Sequence, residues 1–181
     1  MLMARKGLRV LVIDRASYGT DTISTHALMR GGVLQLERWG VLARLREVDT
    51  PAIRATTFHY GDKTVTVPIR PLHGVDALYA PRRTLLDSTL ADAAREAGAV
   101  VLHGHTLVDL IRRPDGRIRG AVVLDAEGNT IVVRSEFVGG ADGIGSSVAR
   151  LVGAETMREA CHATAVIFDY FPGVDLGPVV N

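Results

Sequence analysis

The 181-residue sequence contains a single cysteine, Cys161. That excludes an internal disulfide framework and a metal site built from several thiolates. Aromatic residues make up only 5% of the chain, too few for base-stacking platforms. Charge of one sign is also lacking, since 21 Lys and Arg face 20 Asp and Glu for a net charge of +1. No electrostatic case remains for nucleic acid or an anionic membrane surface as the partner. No apolar run approaches the roughly 20 residues of a membrane-crossing helix. The opening "MLMARKGLRVLVID" lacks the long apolar core and small-residue cleavage site of a signal peptide. A cytoplasmic location is therefore the default expectation. Neither a Walker loop nor a Gly-x-Ser-x-Gly elbow occurs. The six histidines are scattered. Only His103 and His105 share one strand face, and no metal site is expected from them.

What is present is a globular composition, 47% hydrophobic, long enough for one domain with room for a small second one. "MLMARKG" reads as the last turns of a helix stopped by Gly7. "LRVLVID" is apolar at nearly every position, which predicts a strand buried on both faces, as in a parallel sheet. From His26 to Glu47, apolar residues recur at helical spacing, and Gly40 divides the stretch into two helices. "TTFHYGDKTVTVPIR" reads as a hairpin turning at Gly61-Asp62. "DALYAPRR" supplies a short strand. Arg83 to Ala97 is an amphipathic helix with Leu86, Leu90, Ala93 and Ala94 on its apolar face, ended by Gly98. "AVVLHG" is a second buried strand. A three-stranded meander follows, turning at Asp115-Gly116 and at Glu127-Gly128-Asn129. "EFVGGADG" is a final apolar strand, "SSVARLVG" a short helix capped by Ser146 or Ser147, and "CHATAVIFDYF" the first strand of a new sheet. Buried strands separated by helices indicate an α/β fold.

Three constellations could carry chemistry. Asp14 and Arg15 end the first strand, where a carboxylate can accept both ribose hydroxyls of an adenosine. Such a site normally has a glycine-rich turn roughly 20 residues earlier, yet the thirteen residues before Asp14 hold only Gly7. A solvated turn residue is the competing reading. Next, "EFVGGADGIGSSVARLVG" runs a strand into a glycine-rich turn and then a helix. Backbone can approach a ligand closely there, with Asp142 and Gly143 at the strand's carboxyl end. An ordinary Asx turn explains the same residues. Finally, Arg82 and Arg83 open a helix at the end least favourable for cations, a mismatch that a phosphate ligand would relieve. A surface arginine pair is the alternative.

Taken in order, these segments resemble the FAD-dependent oxidoreductases of the aromatic-hydroxylase type, the group A flavoprotein monooxygenases. "LRVLVIDR" is similar to their second strand, which implies Asp14 as the ribose acid with Arg15 beside it. "MRGGVLQLERWGVLARL" resembles their next helix, where an arginine placed like Arg30 reaches the FAD pyrophosphate. "PRRTLLDSTLADAAREAGA" resembles a segment whose arginine, matching Arg83, also lies along the cofactor. "VGGADGIGSSVARLVGA" resembles their second nucleotide motif, with Asp142 and Gly143 toward the ribityl or pyrophosphate region. The fold implied is a partial FAD/NAD(P)-binding, Rossmann-like three-layer α/β fold with a β-meander and the start of a substrate-domain sheet. Its FAD-binding domain would comprise residues 1–50 and 80–153. Residues 51–79 would be an inserted substrate-side hairpin, and 154–181 the start of a substrate domain.

The resemblance implies FAD as cofactor, NADH or NADPH as electron donor, and hydroxylation of a small organic substrate. Reductase and halogenase branches share the same half-fold. No residue reads as a catalytic acid or base. The sequence also departs from the family. Intact members have a glycine-rich loop before the helix that ends here at Gly7, and a Gly-Asp motif beyond Asp142. The chain is therefore expected to be an internal piece of such a protein, and an inactive truncated remnant is the competing reading. Nothing in the sequence sets an oligomeric state.

Overall fold

The computed structural model describes residues 1–22, 24, 27–48, 50–159, 173 and 179–180. Helix α1 (Leu2–Arg5) leads into strand β1 (Leu11–Asp14). Helices α2 (Arg30–Arg38) and α3 (Leu42–Glu47) follow, then β2 (Ala52–Ile53), the hairpin β3 (Ala55–Tyr60) and β4 (Lys63–Pro68), and β5 (Leu78–Tyr79). Helix α4 (Arg83–Glu96) precedes β6 (Val100–His103) and the meander β7 (Thr106–Arg112), β8 (Ile118–Leu124) and β9 (Thr130–Arg134). Helix α5 (Ser147–Val152) and the short β10 (Val179–Val180) complete the order.

The defining pairing is parallel. β1 lies beside β6 in the register Leu11↔Val100 to Asp14↔His103. Parallel strands need a long crossover, and everything from α2 to α4 serves as one here. Gly40, at φ +72°, adopts the left-handed backbone that ends α2 and lets α3 fold back. Val33, Leu36, Val41, Leu42 and Leu45 then meet Val75, Ala77 and Tyr79 in one buried cluster. On α4, Ala93 and Ala94 are buried, while Leu86 and Leu90 pack against the same cluster. That is the apolar face expected from their spacing. A second cluster centres on Leu110, Ala121 and Val123 of the meander, with Ile13, Val138, Val148 and Leu151 packed onto it.

Three expectations fail. β6 is not a buried strand, since Val100 is 55% exposed and Val101 to His103 are half-buried, with one neighbouring strand among the described residues. β1 is not buried on both faces: Leu11 and Val12 are each 39% exposed. Its one neighbour among the described residues is β6, so its other edge and much of its faces meet solvent. "EFVGGADG" forms no strand. It has no pairing partner among the described residues, and Phe137 lies exposed. Apolar content without a neighbouring strand leaves an extended loop. The expected strand "CHATAVIFDYF" lies outside the described residues. The hairpin and meander turn at the expected positions, with register shifts in the β7–β8 pair after Leu107 and Ile111, and β10 adds parallel to β3.

Two substitutions probe this packing. Leu45 is fully buried, so Leu45→Ala should cost about 2–5 kcal/mol. A Cβ on Gly120, at φ +154°, would collide with the backbone carbonyl of Val133 across the β8–β9 pair. Gly120→Ala should cost about 1–3 kcal/mol. Urea unfolding should show a lowered midpoint with an unchanged slope for each.

Candidate functional site

The site is built on the carboxyl ends of β1 and β6, where open α/β sheets bind ligands. Asp14 ends β1 beside His103. One oxygen of its carboxylate accepts the Ala16 N–H at 2.9 Å. The other has no partner among the described residues. The backbone around it is fixed by His105 N–H donating to the Asp14 carbonyl and Gly104 N–H to that of Ala16. Arg15 is exposed.

Residues 15–22 leave β1 and lie along α4. Tyr18 Oη donates to Asp92 Oδ2 at 2.5 Å, which holds the phenol above its ordinary pKa. Arg95 sits over the Tyr18 ring, 5.2 Å from its centroid, and also binds Asp92 at 3.0 Å. Farther along, Asp21 pairs with Arg82, just before α4. The loop after Asp14 is thus tied to both the start and the third turn of α4.

Arg30 opens α2, half-buried and with no partner among the described residues. Met29 provides no side-chain cap, and no acidic residue occupies the first turn. Gly31 and Gly32 follow. Among the described residues, nothing outside its own helix and flanking residues lies within 4 Å of where a Gly31 Cβ would stand, so this backbone has room for a ligand. A helix N-terminus with free N–H groups, bare backbone and an unpaired guanidinium suits a phosphate or pyrophosphate. The Leu28–Tyr79 bridge, with Leu28 N–H on the Tyr79 carbonyl at 2.8 Å, sets the start of α2 beside the segment entering α4.

Arg83 opens α4 but is already engaged. Its guanidinium forms a bidentate bridge to Asp87, one turn on, at 2.6–3.0 Å, and this holds Arg83 above its ordinary pKa. The spacing of four residues is the sequence signal for that pair. Asp142 is engaged too. One carboxylate oxygen accepts the Ser146 hydroxyl at 2.5 Å, and the other accepts the Ser147 and Val148 N–H groups at 2.6 and 3.1 Å. Ser146 Oγ in turn accepts from Ala149 N–H at 3.0 Å, so the expected cap is in place. These donors hold the Asp142 carboxyl below the usual carboxylate range. Gly143 follows at φ +82° with open space around it. A Cβ at Gly140 would meet Val148 at 2.8 Å, so this glycine is what lets the turn lie flat on α5.

Asp14, Arg30 and Arg83 thus belong to segments fastened to one another around the starts of α2 and α4. Asp142 is not brought to them by any contact among the described residues; its turn is linked to β1 only through Val148 and Ile13, which both pack on the meander cluster. Tyr18 and Asp87, which fix Asp92 and Arg83 in these contacts, have no role in the sequence reading, and His103 enters it only as a rejected metal ligand. Among the described residues, no group of three His, Cys, Asp or Glu could hold a metal. No helix there is long and apolar enough to cross a membrane. Cys161, His26 and His162 lie outside the described residues.

The profile of a family described as "FAD binding domain" matches residues 1–175. Menaquinone reductase of Mycolicibacterium smegmatis is 30% identical over 164 residues, 90% of this chain and 38% of that protein. Digeranylgeranylglycerophospholipid reductase 2 of Methanothermobacter thermautotrophicus is 35% identical over 180 residues, 97% of this chain and 43% of that protein. The structure of Pseudomonas aeruginosa PqsL in complex with 2-aminobenzoylacetate superposes with a TM-score of 0.69 at 21% identity, covering 88% of this chain and 43% of that one. The chain therefore spans about two-fifths of the length of the relatives it matches.

Asp142 offers a test by pH. Its carboxylate is held below the ordinary pKa, so its contribution is complete above the usual aspartate range and is lost as pH falls through the lowered value. Asp142→Ala should remove this dependence. It should also reduce amide-exchange protection of Ser147 to Leu151 at neutral pH, while β7–β9 keep theirs.

Proposed function

The chain belongs to the FAD binding domain family, and from that premise we propose that it supplies the dinucleotide-holding part of an FAD-dependent oxidoreductase that draws electrons from NADH or NADPH. One observation carries this reading: the N-terminus of α2 has no side-chain cap, and Arg30 stands there half-buried without a counter-charge among the described residues. A cation so placed opposes the helix dipole, and an anionic ligand removes the conflict.

In this reading the free carboxylate oxygen of Asp14 accepts a ribose hydroxyl. Arg30 and the N–H groups of α2 neutralise the pyrophosphate, with Arg15 at the rim. Arg83 lies alongside, its fork oriented by Asp87, and the Asp142-Gly143 turn brings backbone close to the ribityl end. Bound FAD would supply the redox chemistry itself, and the protein's part is to hold, orient and shield it. None of these residues acts as an acid or base.

The substrate side is the β3–β4 hairpin. Phe58, Tyr60, Val65 and Val67 are exposed on one of its faces, with the two rings stacked 6.3 Å apart. An apolar strip of this kind suits an extended hydrocarbon. Menaquinone and digeranylgeranyl lipids, named as substrates of the two reductases, both carry isoprenoid chains. Reduction of an isoprenoid lipid is therefore the favoured reaction. Hydroxylation of a smaller organic substrate is the second reading, supported by the shared fold with PqsL.

The whole protein should purify yellow. Arg30→Ala should weaken FAD at least about tenfold by calorimetry, with the thermal midpoint of the flavin-free protein unchanged. Under anaerobic conditions, NADH or NADPH should bleach the flavin, and an isoprenoid quinone should restore its colour. Product that forms only in oxygen and gains a hydroxyl would favour the second reading. A colourless protein that takes up no FAD would leave only the remnant.

A further inference from the structure

Arg46 and the hydroxyl of Tyr79 have no part in the site described above. Tyr79 is only 3% exposed, and its backbone is engaged on both sides. It pairs with Ala52 of β2, and its carbonyl accepts the Leu28 N–H at 2.8 Å. Leu28 lies two residues before Arg30, and Tyr79 four before Arg83. This residue therefore joins the starts of α2 and α4. The join is thin, however, because Leu28 meets Tyr79 as an isolated bridge and β5 has two residues. A cavity of about 80 Å³, lined in part by Tyr79, also leaves the packing here incomplete.

Arg46, in the last turn of α3, braces it. Its Nε–H donates to the Tyr79 hydroxyl at 2.8 Å, and its Nη1 lies 4.0 Å from Glu37 Oε2 on α2. Glu37 and Arg30 are seven residues apart, two turns, so they share one face of α2. The contacts form a closed ring. It runs from Leu28 to Tyr79, from Tyr79 to Arg46, from Arg46 to Glu37, and back along α2 to Arg30. We propose that Arg46 is a positioning residue for the phosphate site: through the Tyr79 hydroxyl and Glu37 it sets the rotation of α2, and with it the direction of Arg30. The inference rests on the FAD reading and adds a residue that acts without touching the ligand.

Orientation explains these contacts better than stability does. The Arg46 and Glu37 side chains are 47% and 55% exposed, and an ion pair so exposed contributes little to stability. The hydroxyl of a buried tyrosine does need a partner, and Arg46 is the one it has among the described residues. Asp76 lines the same cavity but does not draw Arg46 away, since it pairs with Arg54. Arg46 thus spends its donors on the two segments that flank the start of α2. A guanidinium can do this because its donors are held in one rigid plane and point in different directions.

The test is a double-mutant cycle on FAD affinity in the whole protein. Arg46→Met keeps an apolar stem and removes the donors. It should weaken FAD about fivefold by calorimetry, and Tyr79→Phe should do the same. In an Arg30→Ala background neither change should weaken FAD more than about twofold further, because no guanidinium is left to aim. Arg46→Lys, which keeps a donor for the hydroxyl, should lose no more than about twofold. Tyr79→Phe carries the same cycle if Arg46→Met does not fold. A second readout needs no flavin. In flavin-free Arg46→Met, amide exchange should speed about tenfold at Leu28 and at Val33, whose N–H donates to the Met29 carbonyl, and stay unchanged in β7–β9. Equal losses of FAD affinity with and without Arg30, or exchange that speeds alike throughout the helical cluster, overturn the positioning role while FAD binding stands. The local exchange change in a protein that takes up no FAD upholds the bracing of α2 and overturns the flavin reading. Neither FAD uptake nor a local exchange change overturns both.

Discussion

The parallel pairing of β1 with β6 is the constraint on which the rest depends. Neighbouring parallel strands cannot be joined by a tight turn, so the chain must leave β1, build α2, α3 and α4, and return. The pairing sets Asp14 against His103 and lays residues 15–22 along α4. It also brings Ile13 onto the meander, whose cluster receives α5 through Val148 and Leu151. A slip of one residue would send Asp14 to the other face and separate it from everything built around it.

The two clusters divide the labour. The helical one, around Leu42 and Leu45, holds the starts of α2 and α4 in place. The meander cluster holds α5 and, through it, the Asp142 turn. Polar ties between the parts are mostly on the surface, such as Arg82 with Asp21, whose side chains are 53% and 39% exposed. Exposed ion pairs contribute little to stability. Their role here is to choose a path for a loop, while apolar burial supplies the stability.

Charge at the site is arranged unevenly. Arg83 and Asp142 are satisfied within the protein, whereas Arg30 and one oxygen of Asp14 have no partner among the described residues. A group already satisfied can shape a site but gains less from a ligand. The unsatisfied groups have the larger differential, because a ligand replaces only water.

Much of this was legible in the sequence. Helix spacing gave α2, α3 and α4, turn glycines gave the hairpin and meander, and Ser146 marked the cap of α5. These are local properties, fixed by backbone preference and by the period of the apolar residues. Burial of β1 and strand formation in "EFVGGADG" could not be read the same way, since both require a neighbouring strand that local sequence does not specify. The family framework was legible as an order of motifs. Only the tertiary structure decided that Arg83 turns to Asp87, that Arg30 has no partner among the described residues, and that His103, without a hydrogen-bond partner at its ring nitrogens among those residues, lies against Tyr18. The sequence by itself determined which elements form and in what order, because those depend on near neighbours along the chain. Which charges meet and which stay open depends on residues tens of positions apart, and only the folded crossover brings those together.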